Sequence, residues 1–322
     1  MHNVSVALCT YNGSRFISRQ LVSILNQTVI PNQIVICDDA SQDNTVDLCR
    51  SIFSQYNYPA EIYVNQKNLG FTKNFEKALQ HCQGDIIFLA DQDDYWYSNK
   101  IEQMLTFFDR FTDVFGFTHE GRIVDEQGLW HGTYKNRQIA DGYGAHDKAI
   151  TGALSAIKAE SLNWLLPIPN GIKGHDVWMS YVFSFMSSSW MFVDDVLVDI
   201  YRHSSNESEW VVNSFHSISR LDVLRQQCLS SPAYSYSDRI EMNKIMAQRL
   251  MADKSNLMNL SPSEKKLIMN KLFLERNALN SRDKLVNAVN RLSRIYQAFK
   301  LFLRGDYKYF NGVRSFVRDL LR

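Results

Sequence analysis

Asp91, Gln92, Asp93 and Asp94 place three carboxylates in four consecutive positions, directly after the apolar run Ile86, Ile87, Phe88, Leu89. Like charges this close repel, so the cluster needs a cation or a set of donors to compensate it. Hard divalent cations such as Mg2+ and Mn2+ take oxygen ligands and keep waters and substrate phosphates in their shell, so one or two carboxylates suffice. Asp91 with Asp93, or Asp93 with Asp94, would supply them; a solvated acidic turn is the structural alternative. A second pair, Asp38-Asp39, also ends an apolar run. It can accept hydrogen bonds from a ribose or base, or open a helix with Ser41 or Asp43 as its cap. No GxGxxG or GxxxxGK[ST] accompanies these runs, which argues against nicotinamide and P-loop chemistry.

These residues must be held by the elements before them. The pattern predicts strands at Val4–Cys9, Gln33–Cys37, Glu61–Asn65 and Asp85–Ala90, alternating with helices at Ser14–Gln27, Asn44–Gln55 and Thr72–Cys82. Such alternation predicts βαβ units and a mostly parallel sheet, whose ligands bind beyond the carboxyl ends of the strands. Four polar clusters would then meet at one edge: Thr10-Tyr11-Asn12-Gly13, Asp38-Asp39-Ala40-Ser41, Lys67-Asn68-Leu69-Gly70 and the acidic run. The section from Phe107 to His203 mixes short strands, turns and helices, and after Ser204 long helices with few glycines take over.

With 322 residues, 45% of them hydrophobic, the chain can bury a core. Its 35 basic and 34 acidic residues leave no overall footprint for nucleic acid. Five scattered cysteines without CxxC spacing indicate neither a disulfide framework nor a zinc site, which fits a reducing compartment. The start of the sequence lacks the pattern of a signal peptide, so the expectation is a cytoplasmic protein. Val177 to Val193 is uncharged but shorter than a span and interrupted by serines, and is expected to be a buried helix running into a strand.

"VALCTYNGSRFISRQLVSILNQT", "IVICDDASQDNT", "NQKNLGFTKNFEKAL" and "GDIIFLADQDDYW", in this order, resemble the family-two glycosyltransferases, inverting nucleotide-sugar enzymes with a GT-A fold. The similarity covers Val4 to His203. Within the family, NxGFxxNF followed by LADQDDxW is similar to bacterial enzymes of O-antigen and capsule synthesis, often rhamnosyltransferases. The resemblance implies an α/β fold with a GT-A-type, mostly parallel sheet flanked by helices, to which the helical pattern after Ser204 adds an α-helical C-terminal extension. It divides the chain into a catalytic domain at 1–205, with a donor half at 1–106 and an acceptor half at 107–205, and an extension at 206–322.

It also implies roles. Thr10, Tyr11, Asn12, Asp39, Asn68, Asp91 and Arg202 would meet the nucleotide sugar, with Lys73 or Asn74 near the diphosphate. Asp91 and Asp93 would form the DxD pair for Mn2+ or Mg2+, with His203 beside them. Inverting transfer is a single displacement and needs a base opposite the departing diphosphate. Asp176 in "GIKGHDVWMSYV" matches the family's position for it, with a helix N-cap as the structural alternative. Gly152 in "TGALSAI", His175, Trp178 and Trp96 would line the acceptor site, with packing in the core as the structural alternative for the two tryptophans. The implied reaction transfers a sugar, with dTDP-L-rhamnose the expected donor, to a growing or lipid-linked glycan. A metal-dependent nucleotidyltransferase would share the acidic strand end but calls for a basic, Gly-rich N-terminal loop, and "CTYNGSRF" is sparsely basic. A non-catalytic nucleotide-sugar-binding scaffold would differ by lacking turnover.

From Arg282 to Arg322, ten Lys and Arg stand against three Asp, with aromatic and aliphatic residues between them at helical spacing. This mixture suits peripheral contact with the cytoplasmic face of an inner membrane, or a helical cap or homodimer interface.

Overall fold

The computed structural model describes residues 2–59, 61–138, 150–186, 189–203, 236–253, 259–288, 290–310 and 312–321. The chain divides into two compact units, Met1–Ile168 with Ile172–Ser231, and Pro169–Gly171 with Pro232–Arg322. The boundary expected at 205/206 falls outside the described residues.

In the first unit, strands β1 (Val4–Thr10), β2 (Gln33–Asp38), β3 (Glu61–Val64) and β4 (Ile86–Ala90) alternate with helices α1 (Ile17–Leu25), α2 (Thr45–Gln55) and α3 (Phe71–His81). The strands pair in parallel in the order β3-β2-β1-β4. Strands β1, β2 and β4 are buried along their whole length, as expected of parallel strands covered on both faces. Helix α1 turns Ile17, Leu21, Ile24 and Leu25 into the core, and α3 buries Phe75, Ala78 and Leu79. Each fully buried side chain of this kind contributes about 1.5–3 kcal/mol.

The parallel character belongs to this half. The remaining strands are β5 (Tyr95–Trp96), β6 (Gly116–Val124), β7 (Trp130–Tyr134), β8 (Ser155–Lys158) and β9 (Trp190–Tyr201). The sheet continues from β4 through β8, β6 and β9 to β5, with β7 beside β6. Here only β6 and β9 run parallel. Helix α4 (Lys100–Arg110) packs Ile101, Met104 and Phe108 inward. A short helix α5 (Leu162–Leu165) precedes α6 (His175–Phe183). The uncharged stretch from Val177 is thus the body of α6 followed by β9, and no helix among the described residues is long and apolar enough to cross a membrane.

The second unit contains α7 (Ser237–Ala252), α8 (Pro262–Val286), α9 (Arg291–Leu303) and α10 (Val313–Leu321). Helix α8 starts at a capping box, in which Ser261 and Glu264 satisfy each other's backbone N–H and Pro262 presets the first turn. Leu285, Ala298, Leu301 and Tyr307 form one core cluster of this unit, and Met246, Leu272, Ala278 and Leu279 are buried between its other helices. Inside it, Arg282 donates to both carboxylate oxygens of Asp319 at 2.8 and 3.1 Å, and the Tyr307 hydroxyl adds a bond at 3.0 Å.

Candidate active site

The acidic run sits where β4 leaves the sheet, beside the carboxyl ends of β1 and β2. One oxygen from each of Asp91, Asp93 and Asp94 lies within 4.8 Å of the others. Asp94 is fully buried, and burial followed by the charges of Asp93 and Asp91 pushes its carboxyl well above the usual carboxylate range. Arg202 and Lys100 oppose that push. Lys100 is itself buried, with its ammonium 3.7 Å from the Trp96 ring centroid and donating to the Ala153 carbonyl at 3.2 Å. Buried Arg202 feels all three carboxylates, and its Nε has no hydrogen-bond partner. Burial pushes the Lys100 pKa well below the usual lysine value, and three acids with two buried basic side chains at one strand end form a polar cluster suited to a cation and an anionic ligand.

His203 closes one side of it. Its Nε2 lies 2.9 Å from Asp93 Oδ2, and its ring stacks on Phe16 with centroids 3.9 Å apart. Arg19 donates to the Asp93 carbonyl at 2.5 Å while lying over the Tyr201 ring. Ser204 to Asn206, the rest of the "YRHSSN" segment, are outside the described residues.

Gln92 had no assigned role, yet it ties two strand ends together. Its Oε1 accepts from the Tyr11 N–H at 2.9 Å and its Nε2 donates to the Tyr11 carbonyl at 3.0 Å. Tyr11 is exposed and Asn12 has a positive φ of 45°, with its N–H donating to Ser41 Oγ and its Oδ1 accepting from Gln42 N–H, both at 2.8 Å. Thr10 requires a correction: its side chain is buried and donates to Asp38 at 2.7 Å, so it serves the scaffold and does not present its hydroxyl to a nucleotide.

Asp39 accepts from Asn65 Nδ2 at 2.9 Å, Leu69 N–H at 2.8 Å and Gly70 N–H at 2.8 Å. It thereby holds the loop carrying exposed Asn68, whose Oδ1 also accepts from Gly70 N–H. Asp39 is itself buried, so its carboxylate orders this loop from beneath. Lys73 and Asn74 are engaged elsewhere: Lys73 donates to Glu76 at 2.7 Å and Asn74 to the Cys37 carbonyl at 2.7 Å.

Asp176 lies in the first turn of α6, half-buried, with Oδ1 accepting from the Val177 N–H at 2.8 Å. Gly174 fixes its approach, since φ is 114° there and a Cβ would come within 2.7 Å of Asp176 Oδ1. The Gly174 N–H is held by Thr72 Oγ1 at 2.9 Å, so α3 positions the turn. His175 is buried and stacked on Phe75 at 3.9 Å, and neither ring nitrogen has a partner. Burial pushes its pKa down, favouring the neutral imidazole. Gly152 makes room for that ring, because a Cβ there would lie 2.2 Å from His175 Nε2.

Two expected acceptor residues are corrected. Trp178 is fully buried with its indole N–H donating to the Leu165 carbonyl at 2.9 Å, and Trp96 belongs to the core between sheet and α4. Neither ring face is open for stacking on a sugar.

Lys135, which the sequence did not single out, joins the two ends of the site. It is buried, its pKa is pushed down to about 7 by burial and then by Arg202, and it feels the opposing charges of Asp176, Asp94 and Glu120. Buried Glu120 on β6 orders its surroundings by accepting from the Gly121 and Asn136 N–H groups at 2.9 and 2.8 Å.

The fold is of the GT-A type. TarS 1–349 from S. aureus, solved in complex with UDP-GlcNAc, matches with a TM-score of 0.55 at 16% identity, covering 93% of this chain and 80% of that one. Mannosyltransferase PcManGT from Pyrobaculum calidifontis, solved with GDP-Man and Mn2+, matches with a TM-score of 0.51 at 15% identity, covering 99% and 86%. Residues 5–162 match the model of Glycosyl transferase family 2, so this part of the chain belongs to that family. Chondroitin synthase of Escherichia coli is 30% identical over 125 residues, covering 39% of this chain and 18% of that protein. The dTDP-rhamnosyl transferase RfbG of Shigella flexneri is 36% identical over 104 residues, covering 30% and 35%. The chain therefore matches well under two thirds of either relative's length.

Proposed function

We propose that this chain is an inverting glycosyltransferase that moves a sugar from a nucleotide-diphosphate donor, dTDP-L-rhamnose by analogy with the Shigella relative, to a growing or lipid-linked glycan of a bacterial surface polysaccharide. It would work at the cytoplasmic face of the inner membrane. The observation that carries the reading is the closely set carboxylates of Asp91, Asp93 and Asp94 at the end of β4, with buried Arg202 and Lys100 beside them.

Asp91, Asp93 and His203 are the residues that would hold a divalent cation; bound there, Mn2+ or Mg2+ supplies Lewis-acid stabilisation of the departing diphosphate. Arg202 adds positive charge for the same anion, and Lys135 adds it in its protonated form, below a pKa of about 7. Tyr11, Asn12 and Asn68 border the nucleotide, with Asp39 ordering the loop that carries Asn68 from beneath. Asp176 takes the proton from the attacking acceptor hydroxyl as the new glycosidic bond forms and the bond to the diphosphate breaks. His175, buried between Gly152 and Phe75, backs the turn that carries Asp176.

The division of roles is tested with two variants. Asp176→Asn should lower transfer by about 10²–10⁴, the usual effect of losing a general base, while leaving metal-dependent donor binding near normal. Asp93→Asn should abolish transfer and weaken that binding strongly. Equal losses of donor binding in the two variants would contradict the assignment.

A further inference from the structure

Helix α9 carries two apolar stripes, and the described core of the helical unit takes up one. Ala298 and Leu301 point into that core with Leu285 and Tyr307. On the opposite face, Leu292, Tyr296, Phe299 and Leu303 follow one another at helical spacing and remain 76, 69, 48 and 84% exposed. At about 100° per residue these four fall within one arc of about 60°, turned away from Ala298 and Leu301, with Phe299 also meeting Phe316 edge-on at 5.3 Å. Val313 and Val317, one turn apart on α10, are exposed as well.

The charges around the stripe have one sign. Arg291, Lys300, Arg304, Lys308 and Arg314 are exposed. The two carboxylates between residues 291 and 320 are buried: Asp319 is held by Arg282 and Tyr307, and Asp306 lies 3.1 Å from Arg304. Helical geometry sets Arg291 on one edge of the stripe and Lys300 with Arg304 on the other.

We propose that this face docks on an anionic lipid bilayer, with Leu292, Tyr296, Phe299 and Leu303 entering the boundary between headgroups and acyl chains and the flanking cations meeting lipid phosphates. A two-fold contact with a second copy would set the same patch against itself, cations facing cations. Leu292 and Leu303 protrude at the two ends of the stripe, which suits a fluid medium. The inference deepens the membrane-side reading above, but it rests on this face alone and is independent of the transfer chemistry.

The test is flotation of the full-length protein with vesicles of phosphatidylglycerol and phosphatidylcholine, or of phosphatidylcholine alone, at low and raised salt, with donor hydrolysis measured on vesicle-free samples. Binding should require phosphatidylglycerol and fall with salt. Arg291→Gln with Lys300→Gln should weaken it about 25-fold, at about fivefold per basic residue. Leu292→Ser with Leu303→Ser, the two most exposed positions of the stripe, should remove it while hydrolysis stays unchanged, so loss of docking is distinguishable from loss of catalysis. Failure to float on any composition, binding indifferent to these substitutions, or a dimer in light scattering that the serine variant dissolves would each overturn the proposal.

Discussion

The ammonium of Lys135 shares a buried place with Arg202, Asp176, Asp94 and Glu120, and its pKa there is about 7, against about 10.4 in an unfolded chain. Between these values the unfolded chain holds a proton that the folded chain has given up, so stability rises with pH from about 7 to 10. Lys135→Met should abolish that rise and raise the melting temperature of the donor-free protein at pH 6, while lowering transfer. Thermal melts across this pH range check the sign; an unchanged slope would contradict it. Gly152 makes the second prediction at this scale. Alanine there would place a Cβ against buried His175, which is stacked on Phe75. Overpacking of this kind costs about 1–3 kcal/mol, so Gly152→Ala should lower stability measurably in urea unfolding. Residues at this scale were unevenly legible. The acids were readable because their repulsion is local in sequence. Gln92 and Lys135 were not, because the groups that give them meaning, Tyr11 for one and Asp176 for the other, lie far along the chain. Trp178 stayed open between acceptor stacking and core packing, because spacing gives a helix face but not its distant partner, here the Leu165 carbonyl that accepts from its indole N–H.

At the scale of elements, β1 through β4 were legible because continuous apolar runs of strand length, broken by turn residues, have few alternatives. The mixed half of the sheet was not, since β6 pairs with β8, β9 and β7, and no periodicity reveals which partner a strand takes. In the helical unit, sequence gave amphipathic spacing but not that α9 has two apolar faces or that Arg282 and Asp319 meet inside the bundle. Both partners of that ion pair are buried. Removing one leaves the other charge uncompensated, typically at about 3–5 kcal/mol. Arg282→Met should therefore destabilise the helical unit by that amount in a urea titration, and adding Asp319→Leu should restore much of it. A single substitution without effect would contradict the buried pairing.

At the scale of the molecule, the acidic run, the buried basic side chains and the Asp176 turn belong to one α/β unit whose elements deliver them from β4, β9, α4 and α6. The strained or charged features of that unit gather there: unpartnered His175, depressed Lys135 and Asp94 held among like charges. Such concentration of cost is expected where a ligand completes the structure. The most direct measurement is release of nucleoside diphosphate by the purified protein from a panel of dTDP-, UDP- and GDP-sugars, with and without Mn2+ or Mg2+, beside Asp93→Asn. The account predicts release from a narrow set of donors, dTDP-L-rhamnose foremost, only with metal and lost in Asp93→Asn. Metal-independent release that persists in Asp93→Asn would contradict it.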